Sequence, residues 1–151
     1  MNKIVNKLID EIKNIYLKTK GENLVAIVLF GSYAKGFETP SSDIDLFIVL
    51  EEIEKSNAEI YTEFFSFLEK TKTYKEMKKM GYYPQVSPII KSKRCLKPEL
   101  LSFLWSSEVK IIYDKKRIFQ NFLKELEKFK KRNLKFHPEP IPHYEVVENG
   151  K

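Results

Sequence analysis

Hydrophobic positions near the start of the chain recur every three to four residues: Ile4, Leu8, Ile12 and Ile15, with Val5, Ile9 and Tyr16 beside them. That period predicts an amphipathic helix over 2–18, closed by Gly21. The pattern then changes. Residues 24–30 form an unbroken apolar run and 43–50 a second, both of a length that suits buried strands rather than helices. Between them lie a short glycine-bounded turn, 31–36, and the turn-forming Thr39-Pro40-Ser41-Ser42.

Helical spacing returns over 55–80, where Ile60, Phe64, Phe67 and Leu68 mark an inward face and Gly81 ends the pattern. A third strand is expected over 82–91. Pro84 and Pro88 point to an edge position or to bulges rather than to the centre of a sheet, because proline cannot donate to a ladder. Pro98 suits the first turn of a short helix through Leu104 and Trp105, and 109–113 is a fourth strand. Asp114 reads as the cap of a last helix, 115–132, with Ile118, Phe122, Leu126 and Phe129 on one face. These elements predict an α/β (α+β) fold, a small mixed β-sheet flanked by helices, occupying 1–132. Pro138, Pro140 and Pro142 predict an extended tail over 133–151 that docks on the body or stays partly disordered.

Composition narrows the setting. With 151 residues, 42% of them hydrophobic, the chain fills one core and leaves no room for a second domain. The longest apolar run is seven residues, far short of the roughly 18 that span a bilayer. The N-terminus scatters charge through its apolar positions and lacks the plan of a secretory leader, so a cytoplasmic protein with no membrane partner is expected. Cys95 is the single cysteine, which rules out an internal disulfide. The net charge of +6 favours polyanionic partners without specifying one. RNA is one such partner, but aromatics do not alternate with Lys and Arg as an RNA-binding sheet face requires. His137 and His143 lack a third ligand for zinc, and Tyr82, Tyr83 and Trp105 read more readily as packing residues than as base-stacking ones.

Candidate chemistry concentrates in 29–46. A glycine directly after a buried strand lets the backbone turn sharply and lets a phosphate approach without a Cβ in the way. Ser32 then opens a helical turn, whose free N–H groups, dipole and hydroxyl favour an anion such as a triphosphate. Ten residues later come Asp43 and Asp45, which a strand projects to one side while Ile44 faces the core. Paired carboxylates repel unless a cation lies between them, and Mg2+ suits few carboxylates completed by water and phosphate oxygens. Only four aspartates occur in the chain, so two in one tripeptide is not generic surface polarity. The turn is not a Walker A loop, because Gly36 is followed by Phe37-Glu38 rather than Lys-Ser/Thr.

Gly31-Ser32, ten residues and Asp43-x-Asp45 resemble the signature of the DNA polymerase beta-like nucleotidyltransferase superfamily, in particular its small stand-alone prokaryotic members. Residues 81–88 and 111–114 are also similar to parts of archaeal proteins of this type. The resemblance implies that Asp43 and Asp45 hold Mg2+ or Mn2+, that Gly31 and Ser32 bind the β and γ phosphates, and that a nucleoside monophosphate passes to an acceptor hydroxyl on protein or RNA. Lys35 and Ser42 join the expected nucleotide-binding set. By the same resemblance, the partner is a HEPN-type ribonuclease supplied in trans, to which such proteins act as antitoxins. One departure stands out: active members supply a third carboxylate from a later strand, whereas residues 82–91 contain no Asp or Glu and place Gln85 and Ser87 there. A nucleotide-binding sensor or interaction subunit with little or no catalysis is therefore the alternative.

Overall fold

The computed structural model describes residues 3–36 and 42–147. Helix α1 (Lys3–Lys20) buries Val5, Leu8, Ile9, Ile12, Ile15 and Tyr16, as its period requires. Strand β1 (Leu24–Phe30) is buried along its whole length, because it runs through the middle of the sheet with a packed layer on each face. Strand β2 (Ile44–Leu50) lies antiparallel to β1, and β3 (Val86–Ser92) lies parallel to β2. With β4 (Lys110–Asp114) antiparallel on the other side of β1, the strand order is β3-β2-β1-β4. This is the mixed sheet flanked by helices that the pattern predicts, with β3 at an edge that tolerates Pro88.

Alternation along the strands divides the core in two. Ile27, Leu29, Ile44, Leu46 and Ile48 pack under α1 and under two further helices, α3 (Asn57–Leu68) and α4 (Lys72–Lys79). Val28, Phe30, Phe47 and Val49 face α5 (Ile118–Asn133) and the 3-10 turns Pro98–Leu100 and Ser102–Leu104. A one-turn helix, α2 (Ser32–Lys35), follows β1 directly.

Several elements depart from expectation. The helix expected over 55–80 is two helices, because Thr71 starts a new one by accepting a hydrogen bond from the Tyr74 amide, as Ser56 does for α3 from Glu59. Ile60, Phe64 and Leu68 form the inward ladder of α3, while Phe67 falls beside it, 38% exposed. On α5 the buried positions are Phe119, Phe122 and Leu126, with Ile118 and Phe129 at the margin. The short helix after Pro98 is a pair of 3-10 turns. The proline-rich segment folds back as a hairpin, β5 (Leu134–His137) with β6 (His143–Val146), and its prolines lie in the connecting loop. The turn expected at 39–42 lies outside the described residues except for Ser42, as do 148–151.

Candidate active site

The glycine after β1 has a backbone conformation, φ 75° and ψ −154°, that an L side chain rarely adopts. It also has no space for a side chain. Phe30 pairs with Asp45 across the β1–β2 ladder, and a Cβ on Gly31 would collide with Asp45 Oδ2 and stand 3.2 Å from Asp45 Cγ. Gly31 is therefore fixed by the neighbouring carboxylate as much as by the turn.

Helix α2 closes with the Lys35 amide donating to the Gly31 carbonyl at 3.2 Å, so the Ser32 amide at its start makes no bond within the helix. A single turn has little macrodipole, and any anion there would be held by individual N–H groups and the Ser32 hydroxyl. Tyr33, 2% exposed, anchors the turn in the α1–α3 core, its hydroxyl 3.4 Å from that of Tyr82. Lys35 remains exposed.

Asp45 alternates with Ile44 along β2, on the face that carries Phe47 and Val49, while Ile44 enters the opposite core; Asp43 stands one residue before the strand. Asp43 is exposed and Asp45 half-buried, with Ser42 half-buried just before them. Among the described residues, no Lys, Arg or His pairs with either carboxylate. Burial raises the Asp45 pKa above the usual carboxylate value, and the charge of Asp43 raises it further. Phe103, a residue the sequence did not single out, packs on the neighbours of Asp45. Its ring packs 5.1 Å from Phe30 and 5.2 Å from Phe47, the side chains that bracket Asp45 on the sheet. These are long-range contacts from an irregular turn, so periodicity gives no sign of them.

The register also locates the missing acid. Ser87 of β3 lies beside Asp45, and the Gln85 carbonyl accepts the Ile44 amide at 2.8 Å, which puts Gln85 level with the start of the pair. Asp114 is no substitute. It pairs with Ala26 at the other end of β1, and its carboxylate accepts the amides of Phe119 at 2.8 Å and Gln120 at 2.9 Å. Among the described residues, no three His, Cys, Asp or Glu side chains gather as a ready-made metal cage. Tyr82 packs against the first core cluster and Trp105 against the second, whereas Tyr83 is 68% exposed.

The chain as a whole has counterparts among known proteins. A family model described as a nucleotidyltransferase domain matches residues 6–145. The chain belongs to the nucleotidyltransferase family. Within it, a putative protein adenylyltransferase of Methanocaldococcus jannaschii is 26% identical over 136 residues, covering 86% of each chain. A second putative protein adenylyltransferase of that organism is 38% identical over 69 residues, 42% of this chain and 69% of the relative. Solved structures share the nucleotidyltransferase fold. A toxin-antitoxin crystal structure with AMP-PNP aligns with a TM-score of 0.51 and 17% identity over 82% of this chain and 86% of the other. A complex of tri-AMPylated Shewanella oneidensis HEPN toxin with MNT antitoxin gives 0.51 and 14% over 83% and 86%. The protein is a nucleotidyltransferase enzyme, and no described helix is long and apolar enough to cross a membrane.

Proposed function

We propose that this nucleotidyltransferase moves the nucleoside monophosphate of an NTP, preferentially ATP, to a hydroxyl on a protein partner. The observation that carries the reading is the close fit of Gly31 against the Asp45 carboxylate, which sets the turn after β1 beside an acid that pairs with no Lys, Arg or His among the described residues. The donor set fits a hard divalent ion: one half-buried and one exposed carboxylate, too few oxygens to enclose it, with coordination left for water and phosphate. Asp43 and Asp45 would hold Mg2+ or Mn2+, which when bound neutralises phosphate charge during in-line displacement. Gly31 and Ser32 receive the β and γ phosphates through backbone amide and hydroxyl, with Lys35 and Ser42 at the margins of that site. In the transfer, an acceptor oxygen forms a bond to the α-phosphorus, the bond from that phosphorus to the bridging oxygen breaks, and pyrophosphate leaves with the electron pair. The acceptor hydroxyl releases its proton to solvent water.

Two similarities support the substrate classes. Both Methanocaldococcus relatives are named protein adenylyltransferases, and the Shewanella structure pairs an MNT antitoxin with an AMPylated HEPN toxin. A HEPN-type ribonuclease acting in trans is the partner this suggests. The alternative, a nucleotide sensor with little turnover, is favoured by Ser87, since a hydroxyl beside Asp45 cannot act as a base near neutral pH.

Incubation with α-labelled ATP, Mg2+ and a HEPN-type neighbour protein tests the reading. Label should appear on the protein, and Asp43→Ala or Asp45→Ala should remove it. Magnesium-dependent ATP binding without label on any neighbour protein favours the sensor, and label on RNA instead moves the acceptor assignment.

A further inference from the structure

Across the sheet the site has a direction. Ser87 lies on β3 with Gln85 just before it, Asp45 lies on β2 with Asp43 just before it, and the turn assigned to the phosphates follows β1. In-line displacement puts the acceptor and the departing pyrophosphate on opposite sides of the α-phosphorus. With the acceptor toward β3, the phosphate tail runs past Gly31 and Ser32 toward Lys35 and the chain leading into β4. In that direction there is a cavity of ≈ 390 Å³, lined by Lys35, Ser102, Ser106, His143, Trp105 and Tyr144 among others. The C-terminal hairpin thus faces the same space as the helix that follows the phosphate turn.

We infer that the hairpin completes the far end of the polyphosphate site, with His143 and Lys35 holding the terminal phosphate of the NTP, and later the pyrophosphate, from two sides. This rests on the nucleotidyl-transfer reading above. The chemistry of the lining favours an anion: a lysine, a histidine and two serine hydroxyls around one volume. His143 is held in place for this. Its Nδ1 lies 2.7 Å from the Ile141 carbonyl, which can only accept, so Nδ1 carries the proton of that bond and Nε2 is left for a ligand. With Nδ1–H committed to that bond, Nε2 donates to a phosphate oxygen only when the ring carries a second proton, so the phosphate and a proton from solvent bind together. The ring also stacks on His137 at 4.9 Å, and His137 in turn contacts Glu145 at 3.2 Å. A nucleobase fits the space less well. The Trp105 indole N–H is committed to the Pro98 carbonyl at 2.9 Å, and Phe136 and Tyr144 pack on each other at 59° rather than presenting parallel faces.

Calorimetric titration of the full chain with inorganic pyrophosphate and with AMP, both with Mg2+, separates the two occupants. His143→Gln should weaken pyrophosphate binding roughly tenfold, the scale of one hydrogen bond to a charged group. Ser106→Ala should weaken it less, and AMP binding should hold in both. His143→Lys, which keeps a cationic donor, should restore most of the affinity. Unchanged pyrophosphate binding in His143→Gln overturns the inference, and so does a loss confined to AMP, which would make the cavity a base pocket. If wild type binds ATP only with Mg2+ and Asp45→Asn removes this while His143→Gln changes nothing, the transfer reading stands and the hairpin assignment falls. If wild type binds neither ATP nor pyrophosphate, both fall.

Discussion

The two ends of β1 each have an aspartate beside them, and the two carboxylates are treated in opposite ways. At the Leu24 end, Asp114 accepts two backbone amides at the start of α5, and nearby Glu51 lies between Lys93 and Lys115 at 3.6 and 3.3 Å. Desolvation opposes the charged form of Glu51, but the hydrogen bonds and charges of Lys115 and Lys93 together outweigh it and hold the carboxyl below the usual carboxylate range. At the Gly31 end, Asp45 is half-buried beside Asp43 with no cation in reach among the described residues, and its pKa rises. One end is arranged for stability. The other holds negative charge at a cost the fold does not itself relieve, the kind of environment found where a ligand supplies the missing charge.

Asp45→Asn separates the two ends most sharply. Nucleotide transfer should fall by about 10²- to 10³-fold, the loss typical of removing one preorganised electrostatic group. Without nucleotide or metal the same variant should melt at a higher temperature. The sign follows from the raised pKa: between the ordinary aspartate value of 3.8 and the higher folded one the native state holds the extra proton, so the contribution of Asp45 to stability falls as pH rises through that window. Melting curves from pH 4 to 7 should show that fall in wild type and a flatter profile in Asp45→Asn.

Gly31→Ala tests the fit of Gly31 against Asp45. The new methyl meets the Asp45 carboxylate in a backbone conformation that costs an L residue about 1–3 kcal/mol, so stability and Mg-dependent ATP affinity should both drop in melting and titration experiments. Ser87→Asp acts in the other direction. A carboxylate beside Asp45 should raise label transfer by roughly tenfold or more, toward the range of a general base. Asp114→Ala should have the smallest functional effect. Losing the cap should lower stability by about 0.5–2 kcal/mol in denaturant titrations, while transfer by the folded fraction stays as in wild type.

The comparison also explains what could be read in advance. Strands β1 and β2 and the carboxylate pair follow from local pattern, since an apolar run of strand length and a tripeptide with alternating side chains depend on few distant contacts. The position of Ser87 beside Asp45 needed only the right strand and register. Other features depend on partners far away in sequence. Phe103 reaches Phe30 and Phe47 from a turn without a period, and the break between α3 and α4 comes from Thr71 capping within a continuous helical pattern. In the C-terminal segment, three prolines hid a hairpin because they occupy its loop while its strands are four residues each. What the sequence did not reveal is thus the irregular turns and the hairpin, whose placement depends on distant contacts.

The central claim is that Asp43 and Asp45 need a divalent ion before the Gly31 turn can hold a triphosphate. Titrating ATP into the protein with Mg2+ and again with EDTA measures that directly. The account predicts binding with Mg2+ that disappears in EDTA, and no difference between the two conditions for Asp45→Asn. Equal affinity in both conditions for the wild type would contradict it.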